Sequence, residues 1–176
     1  MSSHYVVTRR IGIDAGHRIR LHGSKCRHVH GHRYEVEATC RADHLHREGE
    51  QAGMVLDFGF LKEEMLRVID APCDHGFIAE LADEGVLEMF SPPEMAFGDW
   101  LTDIQAAVAA DGFAAVTDCR LDSKLYVVPF PPTAEALARH WFERLAPLVR
   151  QRSDGVGDLM RLRVWETPNC WAEWGV

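Results

Sequence analysis

The apolar and polar positions of the chain follow two rhythms. Tyr5 to Asp14 is rich in Val, Ile and Thr, and from His32 to Arg41 apolar Tyr34, Val36, Ala38 and Cys40 alternate with Arg33, Glu35, Glu37 and Thr39. A period of two sends alternate side chains to opposite faces of a strand, so both segments are predicted as half-buried strands that pair as a long antiparallel hairpin. The rhythm then becomes helical. Phe58, Leu61, Met65, Val68 and Ile69 recur at helical spacing behind the capping residue Asp57, with Lys62, Glu63, Glu64 and Arg67 facing out, and Pro72 is expected to end this helix. A second helix is expected behind Thr133, along Leu137, Trp141, Leu145 and Leu148, fraying at Pro147. Leu159 to Thr167 and Cys170 to Trp174 read as two closing strands.

The order ββα then αββ predicts an α+β fold. The middle of the chain is patterned less regularly. Asp99 to Ala110 reads as a helix, and Phe113 to Leu121 with Lys124 to Val128 as a hairpin turning at Asp122-Ser123. No repeat or low-complexity linker breaks the chain.

Composition narrows the function classes. With 176 residues, 47% apolar and 26% charged, the chain is expected to form one domain, 1–176, able to bury a core. Its formal charge of -8 argues against a general nucleic-acid or anionic-membrane binder, which needs cations to neutralise phosphate. Met1 to Ile13 is interrupted by His4, Arg9 and Arg10, so it lacks a signal-peptide core or a membrane span, and a soluble cytoplasmic protein is expected. Five cysteines without a C-x-x-C pair suit a reducing compartment rather than a disulfide framework. Local charge runs against the total. Between Ala15 and Tyr34 there is no Asp or Glu, while Arg18, Arg20, Lys25, Arg27 and Arg33 surround several histidines. Such a stretch is either a solvated basic face or the rim of a pocket for a small phosphorylated anion.

The histidines carry the first candidate chemistry. His30 and His32 sit two apart at the start of the second strand, so the pleat puts both on one face, about 7 Å apart at the backbone. His17 follows the first strand, and an antiparallel hairpin returns it to the same end. Three neutral imidazoles with a vacant fourth position are what a catalytic zinc uses. Gly31 is expected to let the backbone bend between the two ligands. Spacing alone leaves open which three of His17, His22, His28, His30 and His32 would bind. Cys26 lies four residues before His30 between Lys25 and Arg27, cationic surroundings that favour a reactive thiolate over a small buried apolar residue.

These residues also form recognisable motifs. A-G-H ending at His17 and K-C-R-H-V-H-G-H from Lys25 to His32 resemble the 6-pyruvoyltetrahydropterin synthase superfamily. Further matches follow in order: Gly53-Met54-Val55-Leu56-Asp57-Phe58 with Leu61-Lys62, Asp74-His75, Pro132-Thr133-Ala134-Glu135, and Trp165-Glu166-Thr167. The resemblance implies the tunnelling fold, a four-stranded antiparallel sheet with two helices on one face, here with an insertion at about 77–131 that would form a lid or outer hairpin. It implies Zn2+ held by His17, His30 and His32, Cys26 as catalytic thiol with Asp74 and His75 as its partners, and Glu166 as pterin anchor. A homo-oligomer, trimer or hexamer, with sites between subunits is also implied.

The spacing C-x-x-x-H-G-H resembles the 6-carboxytetrahydropterin synthases of the queuosine and 7-deazaguanine pathway. Those enzymes act on a small pterin triphosphate, 7,8-dihydroneopterin triphosphate. The alternatives are pyruvoyl-forming chemistry, or a non-catalytic zinc- or pterin-binding module in which Cys26 closes the metal site.

Overall fold

The computed structural model describes residues 3–176. Strands β1 (Tyr5–His17) and β2 (His30–Ala42) pair antiparallel throughout, from Tyr5 opposite Ala42 to His17 opposite His30. Both strands therefore extend into the histidine region. Gly16 faces Gly31 across the ladder, and a Cβ on Gly31 would meet the Ala15 carbonyl oxygen at 3.0 Å. Gly31 thus permits close strand approach rather than a bend.

Helix α1 (Phe58–Met65) begins where the Asp57 carboxylate accepts the N–H groups of Gly59 and Phe60. It does not stop before Pro72 but passes through a π-helical turn, Leu66–Asp70, into the short helix α2 (Ala71–Cys73). Proline has no N–H for the carbonyl four residues back. The widened turn accommodates it, and Arg144 Nη1 donates to the Val68 oxygen at 3.2 Å instead.

The α+β class holds, but the sheet has seven strands rather than four and is mixed rather than antiparallel. Its order is β4-β5-β3-β1-β2-β6-β7. β1 and β2 continue antiparallel into β6 (Asp158–Thr167) and β7 (Cys170–Gly175), which is the expected four-stranded part. The inserted segment extends the other side. β3 (Gly76–Glu80) runs parallel to the end of β1, β5 (Lys124–Val128) parallel to β3, and β4 (Ala114–Val116) antiparallel to β5. It is an extension of the sheet rather than a lid, and β4 with β5 forms the expected antiparallel hairpin at its outer edge, with the first strand ending at Val116 instead of Leu121.

Two cores explain this. Ile78, Tyr126 and Val128 join the main core, where α1 and the long helix α5 (Ala134–Arg152) cover β1, β2 and β6. Phe77, Ala79, Leu125 and Val127 point the other way, against Val86 and Leu87 of α3 (Glu84–Phe90) and Trp100, Ile104 and Val108 of α4 (Phe97–Asp111). Helices thus lie on both faces of the extension, and strands buried on both faces suit parallel pairing. α5 also runs past Pro147 to Arg152, because Leu137, Trp141, Leu145 and Val149 are fully buried beneath it. Each such side chain contributes roughly 1.5–3 kcal/mol of burial, enough to offset a missing backbone bond. Among the described residues, no helix is long and apolar enough to cross a membrane.

Candidate functional site

The hairpin register builds a histidine cluster. His17, the last residue of β1, lies opposite His30, the first of β2, and His32 follows on the same face. Ring centroids are 4.6 Å apart for His17 and His30, 5.1 Å for His17 and His32, and 5.0 Å for His30 and His32. One ligand atom from each ring lies within 4.8 Å of the others. Among the described residues this is the group of three able to hold a metal, and neither Cys26 nor His22 nor His28 belongs to it. His28 instead gives its carbonyl to His30 Nδ1 at 2.7 Å, and His22 Nδ1 accepts the Ser24 N–H at 3.0 Å.

The tautomers fit a cation. His17 Nδ1 meets the Pro132 carbonyl at 2.9 Å and must donate to it, as His30 Nδ1 donates to His28. Both Nε2 atoms are then lone-pair bearers in the neutral rings, yet they stand 3.1 Å apart. Backbone carbonyls orienting the distal nitrogen are the usual outer support of a metal-binding imidazole. Burial pushes the His17 pKa down to about 4, with its Pro132 hydrogen bond opposing and His30 and His32 adding to the fall. Burial lowers His32 as well, against the pull of Glu166. Both rings are thus kept neutral, the form that binds metal. A nitrogen-only set of three with room for a further ligand suits zinc.

A cleft of about 240 Å³ opens beside the cluster, lined by His17, Cys26, Glu166, Thr133, Glu135 and Trp171 among others. Cys26 sits on a single 3-10 turn, Lys25–Arg27, and is partly exposed. Glu166 lies at an irregularity of β6 between Trp165 and Thr167, with Oε1 3.7 Å from His17 Nε2. Thr133, Glu135 and Trp171 were not anticipated as cleft residues. The P-T-x-E motif carries a signal for the first two, although in the sequence it reads as the start of a helix. Trp171 sits on the closing strand, where nothing in the pattern distinguishes it.

Asp74 and His75 do not line this cleft. Asp74 accepts the Asp14 N–H at 2.8 Å and faces His75 Nδ1 at 2.7 Å, while the His75 side chain is 78% exposed. Desolvation works against ionisation of Asp74, but its bonds to Asp14 and His75 prevail and lower its pKa. The basic stretch is also largely committed. Arg18 pairs with Asp83, Arg20 with Glu80 and Arg33 with Asp14, which leaves Lys25 and Arg27 exposed on the Cys26 turn.

Comparison with known proteins decides the family. The family model described as 6-pyruvoyl tetrahydropterin synthase matches residues 6–175. The chain belongs to the 6-pyruvoyl tetrahydropterin synthase family. Within it, a Haemophilus influenzae protein named 6-carboxy-5,6,7,8-tetrahydropterin synthase is 29% identical over 170 residues, 97% of this chain and 98% of the relative. A Rickettsia felis protein of the same name is 32% identical over 166 residues, 94% and 96% of the two chains. Among solved structures, an uncharacterized protein from Wolinella succinogenes superposes with a TM-score of 0.64 at 24% identity, covering 99% of each chain, which supports the fold.

Proposed function

We propose that this chain is a zinc-dependent 6-carboxytetrahydropterin synthase, converting 7,8-dihydroneopterin triphosphate and one water to 6-carboxy-5,6,7,8-tetrahydropterin with release of acetaldehyde and triphosphate. One observation carries the reading: three imidazoles with converging ring nitrogens form a cluster, and one of them, His17, lines a cleft together with a partly exposed thiol and a carboxylate. Zinc, held by His17, His30 and His32, would act as a Lewis acid toward an oxygen of the pterin side chain. The remaining roles fall to the protein. Cys26, as thiolate, removes a proton from the side-chain carbon beside it. Glu166 accepts the paired N–H donors of the pterin edge, the fork geometry carboxylates favour. Asp74 fixes the His75 tautomer and orients the ring for proton transfer.

A homo-oligomer, trimer or hexamer, with sites between chains completes the proposal. The cleft, about 240 Å³, is smaller than the roughly 300–1,000 Å³ of most ligand pockets. Among the described residues no Lys or Arg lines it, so the triphosphate would reach Lys25 and Arg27, which flank the cleft residue Cys26, or cations of a neighbour. His75, exposed and not among the residues that line the cleft of its own chain, would serve the cleft of another. β1 pairs with β3 only at Ala15–His17, and Asp14 bonds to Asp74 and His75, which leaves its first nine residues without a strand neighbour on that side among the described residues. Such an edge invites strand pairing between subunits.

The test is to incubate zinc-loaded protein with 7,8-dihydroneopterin triphosphate and identify the products by mass. Acetaldehyde with 6-carboxytetrahydropterin is expected. An intact three-carbon side chain after triphosphate loss would instead assign pyruvoyl-forming chemistry, and no turnover would leave a binding module.

A further inference from the structure

The Cys26 loop, residues 18–29, is tied mainly to itself. Ile19 N–H donates to the Cys26 carbonyl at 2.7 Å, His22 N–H to Ile19 at 2.9 Å, Arg27 N–H to Ser24 at 3.3 Å and His28 N–H to Lys25 at 3.0 Å. Among the described residues its side-chain ties to the rest of the protein are Arg18 and Arg20, and both run to the inserted segment. Arg18 grips Asp83 with a two-pronged fork, Nε to Oδ2 at 2.5 Å and Nη2 to Oδ1 at 2.7 Å. Arg20 Nε stands 3.6 Å from Glu80 Oε2.

Asp83 is itself held by backbone hydrogen bonds. Its carbonyl accepts the first N–H groups of α3, from Val86 and Leu87 at 3.0 Å each, and its N–H donates to Glu80 at 2.9 Å. Its side chain is 4% exposed. A carboxylate so buried needs its cation, and a bidentate guanidinium holds direction as well as charge. Between the two arginines, Ile19 turns to the cleft, and its N–H is the bond that holds the Cys26 carbonyl.

We infer that the inserted segment is the anchor of the Cys26 loop, and that Asp83, acting through Arg18 and the Ile19 N–H, is a positioning residue for the thiol. The positioning role rests on the proposed function, whereas the anchoring does not. It gives the insertion a purpose in the site without a contact to substrate, because an error of about 1 Å in a reacting group can cost about 100-fold in rate.

The experiment uses the zinc-loaded full chain and two variants, Asp83→Asn and the milder Arg18→Lys, which keeps charge but loses the fork. Hydrogen exchange at the Ile19 amide and alkylation of Cys26 by iodoacetamide, located by peptide mass, are measured beside kinetics. Both local rates are expected to rise about tenfold or more, the equivalent of one charge-assisted hydrogen bond. Zinc content and protection of the Val36 amide stay unchanged. kcat falls by up to about 100-fold with KM little altered, and the double variant loses no more than the worse single one. Unchanged Ile19 exchange and Cys26 alkylation in both variants overturns the anchor. A loosened loop with unaltered kcat overturns the positioning role. Absence of turnover in the unmutated chain would count against the proposed function, while the exchange and alkylation results would still decide the anchor.

Discussion

The Nε2 atoms of His17 and His30 stand 3.1 Å apart with each ring's Nδ1 engaged by a backbone carbonyl. Two lone pairs at that separation repel unless a cation lies between them. Metal removal is therefore expected to destabilise a protein that stays folded, because the core beneath, including Tyr34, Val36 and Ile13, is closed without it. Denaturant unfolding should show a gain of about 4 kcal/mol when free zinc exceeds its Kd a thousandfold. His17→Ala should abolish both zinc content and that gain. Equal unfolding midpoints with and without zinc would refute the site.

Cys26→Ser is expected to retain zinc, since the thiol lies outside the histidine group, while kcat drops by about 10²–10⁴. His75→Ala should also be inactive. Co-assembling these two inactive proteins should restore part of the activity if His75 serves the Cys26 of another chain. No recovery in verified mixed oligomers would place both residues in one chain's site.

Glu166→Gln replaces an acceptor oxygen with an N–H facing ring donors. Calorimetric titration with a pterin should show a loss of about 1.5–3 kcal/mol, with zinc content preserved. Loss of zinc would instead make Glu166 a ligand, which its 3.7 Å distance from His17 makes a meaningful alternative.

A pH dependence follows from the core rather than the cleft. His140 is buried on α5, its Nε2 2.7 Å from the Tyr126 hydroxyl, between the rings of Phe113 and Phe130. Burial lowers its pKa to about 4, with Arg144 adding to the fall and Glu143 opposing it. Above pH 6.5 the ring is neutral folded and unfolded. Below that, the unfolded chain takes up a proton that the folded chain refuses, so stability declines as pH falls toward about 4. The loss attributable to this group is about 3 kcal/mol. Comparing denaturation curves of the protein and His140→Gln across that window isolates it, and identical slopes would show that His140 does not titrate on unfolding.

The legible parts of this protein were those governed by local periodicity and chemistry. Alternation in β2 predicted its buried face, Tyr34, Val36, Ala38 and Cys40, all fully buried. Asp57 and Thr133 cap helices as their side chains dictate. The inserted strands were harder to read because their burial is two-sided. Leu125 to Val128 is an unbroken apolar run, and alternation cannot reveal which of two cores each residue enters.

The same division runs through the site. Residue types and motif order were enough to nominate the histidines, Cys26, Glu166, Asp74 and His75. Tertiary structure decided how they are distributed. Strand register, with His17 opposite His30, selects three of five histidines, because only ladder pairing converts a spacing in sequence into converging ring nitrogens. Likewise five basic residues read alike in the sequence, yet Arg18, Arg20 and Arg33 are taken by Asp83, Glu80 and Asp14. Sequence sets the charge each residue carries, but only the fold decides which opposite charge reaches it, since ion pairing depends on distances between segments remote along the chain.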